Sequence, residues 1–340
     1  MNRRLIGAVG ALAASTLVLA ACGSSSSSSP TTSSASAAAA SAGATAGSGG
    51  ASSASGGASS ASGGASSAAG GGTTGPIVVG SANFDESVIL MYIYADALKA
   101  KGVDATVKPK IGSREVYIPA LKDGSIDLIP EYSGTLLAYF DKTSTAASSA
   151  DIYKALPAVV GPAGMTVLEQ SEAQDKDSIA VTADTAKKYN LKTIGDLASH
   201  ASSMVLGAAP EFKTRADGVP GLDKTYGVKF GTFKTLDAGG KLSVTALKNG
   251  QVDAADLFTT DPSIPENGFV VLQDPKNLYT AQNVLPLIAT KKVTPLITKT
   301  LNAVSAKLDT ATLTALDKQE YGGTDAEKVA QDWLKAQGLS

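Results

Sequence analysis

A single cysteine, Cys22, rules out an internal disulfide and any cysteine-built zinc site. A single histidine, His200, sits in the polar stretch "LASHASS" and removes the usual metal-binding and general-base clusters; it is assigned no role. Beyond the first 22 residues no second long apolar run occurs, so no membrane-spanning helix is expected. Positive charge is also scarce: 29 basic residues stand against 31 acidic ones, with no basic stripe, which argues against a nucleic-acid partner. No glycine-rich phosphate loop and no nucleophile with a matching base can be found, so the chain reads as a binding protein without enzymatic activity, cofactor or metal.

What the sequence does contain falls into three parts. Arg3 and Arg4 precede an apolar run that ends Leu19-Ala20-Ala21-Cys22, the pattern of a bacterial lipoprotein signal. Residues 1–21 are therefore expected to be a signal peptide and Cys22 a lipidated first residue. Residues 22–75 form the anchor and tether: from Gly23 on they are glycine, serine, alanine, threonine and one proline, with "GGASSAS" recurring every seven residues. No position of that period is large and apolar, which excludes a coiled coil and leaves a flexible linker with a reach of roughly 40 Å. Residues 76–340 exceed the usual size of one core and imply two lobes.

Along that part, "PIVVGSANF" (76–84), "VDATVKP" (103–109) and "IDLIP" (126–130) read as strands. They alternate with helical stretches at 85–102 and 112–124, which predicts a parallel sheet with right-handed crossovers. A second series has strands at 177–182, 204–208, 252–259, 269–274 and 284–290, and helices at 183–199 and 242–250; 295–337 reads as helices with Trp333, Val329 and Leu334 in the core. "ALKDGSIDLIPEYSGT" (120–135) and "ALKNGQVDAADLFTTD" (246–261) share a helix ending Ala-Leu-Lys, a glycine, a hydrophobic-Asp pair and a polar cluster. They read as one device used once per lobe. Two such strand ends facing each other form a cleft, and the carboxyl end of a strand is where open α/β sheets hold ligands.

Taken together, "VGSANFDES", "ALKDGSIDLIPEYSGT", "RADGVPGL", "ALKNGQVDAADLFTTD" and "VLQDPKN" resemble the osmoprotectant-binding proteins of ABC importers, the receptors for glycine betaine, choline and carnitine; "PEYSGT" is the most specific piece. The resemblance implies an α/β fold of the two-lobed type II periplasmic-binding class, with lobe I at 76–176 and 288–340, lobe II at 177–287 and the ligand between them. It implies a monomeric receptor, lipid-anchored on the outer face of the cytoplasmic membrane, that takes a small quaternary ammonium solute and delivers it to an ABC permease. A receptor for a polyol, an amino acid derivative or an aromatic compound is the alternative, as is a surface sensor without transport. A diacyl or triacyl cysteine would supply the firm anchorage that a single acyl chain does not.

A trimethylammonium has no N–H to donate, so aromatic faces must hold it, and a carboxylate on the same ligand needs donors. By this resemblance Tyr132 is a cage tyrosine, Thr135 the hydroxyl donor beside it and Tyr153 a second cage tyrosine. Val219 and Ser243 stand where relatives often carry tyrosine, and Ala82 where they carry a polar side chain; Phe212, Phe233 and Phe258 are candidate replacement rings. From position alone, Asn83 either donates to a ligand or shapes the turn before the first helix. Arg215 either clamps a carboxylate or makes a salt bridge within its lobe. Thr260 and Asp261 end the second lobe's strand, where Asp261 can answer a cation, and Asn283 lies near a crossing between lobes. Glu131 is expected to pair near its strand end.

Overall fold

The computed structural model describes residues 75–340, which belong to one compact unit. The expected signal peptide, Cys22 and nearly all of the expected tether lie outside the described residues. In chain order the elements are β1 (Ile77–Ala82), α1 (Asp85–Lys99), β2 (Ala105–Gly112), α2 (Arg114–Asp123), β3 (Leu128–Tyr132), α3 (Ser133–Phe140), α4 (Ser149–Val160) and β4 (Met165–Val167). Then come β5 (Asp177–Val181), α5 (Ala183–Tyr189), β6 (Val205–Ala208), α6 (Val219–Tyr226), β7 (Thr232–Thr235), α7 (Lys241–Lys248), β8 (Ala254–Phe258), α8 (Ser263–Glu266) and β9 (Val270–Val271). Last come β10 (Val284–Ala289), α9 (Pro295–Ser305), α10 (Thr310–Tyr321) and α11 (Ala326–Gln337).

The strands form two five-stranded sheets, in the orders β2-β1-β3-β10-β4 and β7-β6-β8-β5-β9. Each sheet is covered on both faces. Ile77 and Val79 of β1 point into a core with α1, α9, α10 and α11, while Val78 between them packs on the opposite side with α2 and α4 residues. That alternation is the two-residue period of a strand. Trp333 lies in the first of these cores with Val329 and Leu334. In the second sheet Ile179 and Val181 face one core and Ala180 the other.

Three sequence expectations are corrected. The sheets are mixed, because β10 runs antiparallel to both β3 and β4, and β5 antiparallel to β8. β10 joins the first sheet from Val284, so the change of lobe comes before residue 284 and not at 287; an apolar run gives no hint of which sheet it enters. The helix expected over 183–199 stops at Tyr189, where Asn190 takes a left-handed conformation (φ 51°), and resumes as a 3₁₀ turn over Ile194–Ser199.

The shared motif explains how the two strand ends are set. Asp127 Oδ2 accepts from Val78 N at 3.0 Å, and Asp253 Oδ2 accepts from Val205 N at 2.8 Å. Each aspartate thereby pins its strand beside the neighbouring one. Five residues further on, the two chains bring Tyr132 and Phe258 to the ends of β3 and β8. Beyond Tyr132 the chain must pass close under the segment that carries it back to the first sheet. A Cβ on Gly134 would stand 2.5 Å from the carbonyl oxygen of Ala281 and 2.5 Å from Thr280 Oγ1, which is why a glycine follows "PEYS". Gly134→Ala is expected to cost about 1–3 kcal/mol of stability through this overpacking, read as a lower urea midpoint of the full chain.

Candidate functional site

The ends of β1, β3, β6 and β8 and the start of β5 converge on a cavity between the sheets. Its atom-free space, mouth included, is about 490 Å³. Ala82 ends β1, Asn83 and Phe84 come from the turn after it, Arg114 and Tyr117 from α2, Tyr132 from the end of β3 and Thr135 from the first turn of α3. Facing them are Asp175 and Asp177 at the start of β5, Glu211 and Arg215 after β6, Ala238 after β7, and Phe258. Gln282 closes the wall from the second crossing.

One wall is aromatic. Phe84 caps the start of α1 in an extended conformation, so its ring is thrown clear of the helix. It lies between two others, with centroids 5.8 Å from Tyr132 and 4.9 Å from Phe258. Rings of both sheets therefore meet through Phe84. Tyr117 adds a fourth ring, beneath the Arg114 guanidinium at 5.9 Å.

The charges are unevenly answered. Arg114 holds Glu131 in a two-pronged ion pair, Nε to Oε1 at 2.9 Å and Nη2 to Oε2 at 2.8 Å, and reaches Thr135 Oγ1 at 3.0 Å. Glu131 is fully buried and also accepts from the Tyr117 hydroxyl and from Tyr132 N. Arg215 gives two bonds of 3.2 Å to Glu115, joining the two lobes. Asp175 accepts only from the Thr259 hydroxyl and Thr260 N, both at 3.1 Å. Asp177 has no ion-pair partner among the described residues. Burial and the charge of Asp217 push its carboxyl up to about 6, against the pull of Arg215 and Arg114. Behind it on β8, Asp256 is buried with Oδ1 unbonded, and burial together with Asp177 holds it well above the usual carboxylate range. Glu86 joins the lobes a second time: it accepts from the Tyr132 hydroxyl at 2.5 Å and from the Thr260 hydroxyl at 2.7 Å.

Six of the residues singled out from the sequence line the cavity: Asn83, Tyr132, Thr135 and Arg215, together with Ala82 and the candidate ring Phe258. The salt bridge of Arg215 runs between lobes, not within one. Thr260 and Asp261 border a separate hollow on the far side of Phe84 and Phe258. Three residues lie elsewhere. Tyr153, on α4, spends its hydroxyl on the carbonyl of Leu168 at 3.1 Å. Phe212 is buried in the second lobe's core. Asn283 is buried in the crossing, where its amide donates to Ser171 O at 2.8 Å. Val219 and Ser243 line neither cavity, so they mark no gap in a ring box. Val219 packs on the second core, and Ser243 bonds Asp237 at the start of α7.

Sequence reasoning passed over Phe84, Arg114, Tyr117, Asp175, Asp177 and Gln282. The motif pairing does place Phe258 opposite Tyr132. Nothing local marks Asp177, which reads as the polar start of a strand. A wall of rings in one cavity with a carboxylate, Asp177, that makes no ion pair among the described residues is suited to an organic cation. Among the described residues no group of three or more histidine, cysteine, aspartate or glutamate side chains is disposed to hold a metal ion.

Residues 75–336 match the family model described as the substrate binding domain of ABC-type glycine betaine transport systems. The glycine betaine-binding protein YehZ of Escherichia coli strain K12 is 30% identical over 277 residues, 77% of this chain and 91% of that protein. A solved structure of apo YehZ from the same species covers 78% of this chain and 99% of its own, with a TM-score of 0.54. A crystal structure of a glycine betaine/carnitine/choline ABC transporter protein, 24% identical, covers 77% and 99% with a TM-score of 0.61 and shares the fold.

Proposed function

Because the chain belongs to the family of substrate-binding domains of ABC-type glycine betaine transport systems, we propose that it captures a quaternary ammonium solute in the cavity between its two sheets and presents it to an ABC permease. Proteins of this family are solute-binding transport components that act outside the cytoplasm. The observation that supports the ligand class is the Phe84 ring, set between Tyr132 and Phe258 in the cavity that Asp177 also lines without an ion pair among the described residues. A trimethylammonium meets ring faces worth about 2 kcal/mol or more once desolvated, and carboxylates that lack a cation. Asn83, Thr135 and Arg215 are the donors available to a polar tail.

Closure follows from the two crossings. Residues 168–176 and 272–283 pair with each other, Asp175 N donating to Gln282 O at 3.2 Å, and they form the hinge. Arg215–Glu115 and Thr260–Glu86 hold the closed arrangement on either side of the rings. Lipidation at Cys22 and the glycine-serine tether keep the monomer at the outer face of the membrane, free to turn toward the permease. Calorimetric titration of the full chain with choline, glycine betaine and carnitine tests the reading. Saturable binding of at least one is expected, and silence from all three defeats it.

The acids give a pH signature. Only the carboxylate form of Asp177 attracts a cation, and its carboxyl sits at about 6. Choline affinity is therefore full above that value and weakens as pH falls through it, tending to about tenfold per unit below. Asp177→Asn should flatten the profile. Titrations from about pH 5 to about pH 8 check this, and a flat wild-type profile would count against the role of Asp177.

A further inference from the structure

Behind the aromatic wall lies a second hollow, with about 520 Å³ of atom-free space including its mouth. Phe84 and Phe258 separate it from the cavity described above, since both rings line both spaces. Glu86 of α1 and Asp317, Glu320 and Tyr321 from the end of α10 complete its walls.

Its charge balance is one-sided. Glu86, Asp261, Asp317 and Glu320 line it with no ion-pair partner among the described residues, against the one ammonium of Lys241; Asp85, at the rim, is already paired with Lys110. Acids alone define no site, but one of these carries a second sign. Asp317 is nine-tenths buried, and its Oδ1 there has no hydrogen-bond partner. A buried acceptor left open costs free energy until a donor arrives. Burial also raises the Asp317 carboxyl to about 8, against the pull of its side-chain hydrogen bond with Glu86.

A ligand that fits these walls brings N–H donors, positive charge and apolar surface. A quaternary ammonium has no N–H and leaves Asp317 Oδ1 unanswered. A metal ion is disfavoured because the described carboxylates form no group of three able to hold one. We propose that this hollow is a second binding site, for a primary alkylammonium. Its N–H groups donate to Asp317 and Glu86, and its carbon chain lies on Phe84, Phe258 and Tyr321. Such an occupant touches α1 of the first lobe and the end of β8 in the second. It therefore reinforces closure around whatever the neighbouring cavity holds, and by linkage that ligand in turn tightens its binding.

The probe is n-butylammonium, titrated into the full chain by calorimetry and thermal shift, with tetramethylammonium as the control that carries charge but no donor. Saturable butylammonium binding is expected in the wild type. It should weaken at least about tenfold in Asp317→Asn and about threefold in Tyr321→Ala, whose half-buried ring can be removed without touching the core. Tetramethylammonium should show no dependence on either substitution. No saturable response in the wild type, or a butylammonium response that both substitutions leave unchanged, would overturn the proposal.

Discussion

Glu131→Ala is expected to lower the stability of the folded chain by about 3–5 kcal/mol, a large share of the 5–15 kcal/mol that holds a typical domain together. The size follows from what the carboxylate does. It is fully buried and accepts four hydrogen bonds, two from Arg114, one from the Tyr117 hydroxyl and one from Tyr132 N. Removing it leaves a guanidinium charge in the interior with only Thr135 to answer it. Burial works against the charge on Arg114, and Glu131, with smaller help from Tyr117 and Asp217, more than offsets this. Equilibrium urea unfolding of the full chain measures the loss. The joint replacement Arg114→Met with Glu131→Leu should recover part of it, because no unpaired charge remains, while the Tyr117 hydroxyl and Tyr132 N still lack an acceptor. A single substitution that costs less than about 1 kcal/mol would mean the pair is solvated.

Phe84→Ala should have the largest effect on ligand capture. Its ring is the one that touches both Tyr132 and Phe258 and so joins the aromatic surfaces of the two lobes. Its loss takes away one cation-binding face, about 2 kcal/mol, and two ring contacts of about 0.5–1.5 kcal/mol each. These sum to about 3–5 kcal/mol, so at 1.4 kcal/mol per tenfold choline affinity should fall by about a hundredfold or more, while the lost burial of a partly buried ring costs less stability than a core residue would. Calorimetry on the variant beside a melting curve separates the two effects. An unchanged affinity would show that the ligand does not rest on this wall.

The sequence was readable where chemistry is local. "PEYSGT" announces a strand end, and each of its parts has a contact to explain it. Glu131 anchors α2, Tyr132 faces the cavity, Ser133 bonds the returning crossing, Gly134 lets that crossing approach, and Thr135 meets Arg114 and Gln282. The Asp127 and Asp253 devices were likewise legible as a shared motif, and through it Phe258 could be placed opposite Tyr132. Partnerships across long separations were not. Thr260 reaches Glu86 across 174 residues, and Arg215 reaches Glu115 across 100. Composition does not show which acids end without an ion pair, so Asp175 and Asp177 were passed over. Tyr153, Phe212 and Asn283 were misplaced for a related reason. Each sits in a turn or helix that could have faced the cleft, but the packing of α4, of the second core and of the crossing turned each one inward.

A crystal structure of the full chain grown with whichever of choline, glycine betaine and carnitine binds puts the whole account at risk in one measurement. The ammonium nitrogen should lie within about 6 Å of the ring centroids of Phe84, Tyr132 and Phe258, on the side of Asp177. A quaternary ammonium found anywhere else would contradict it.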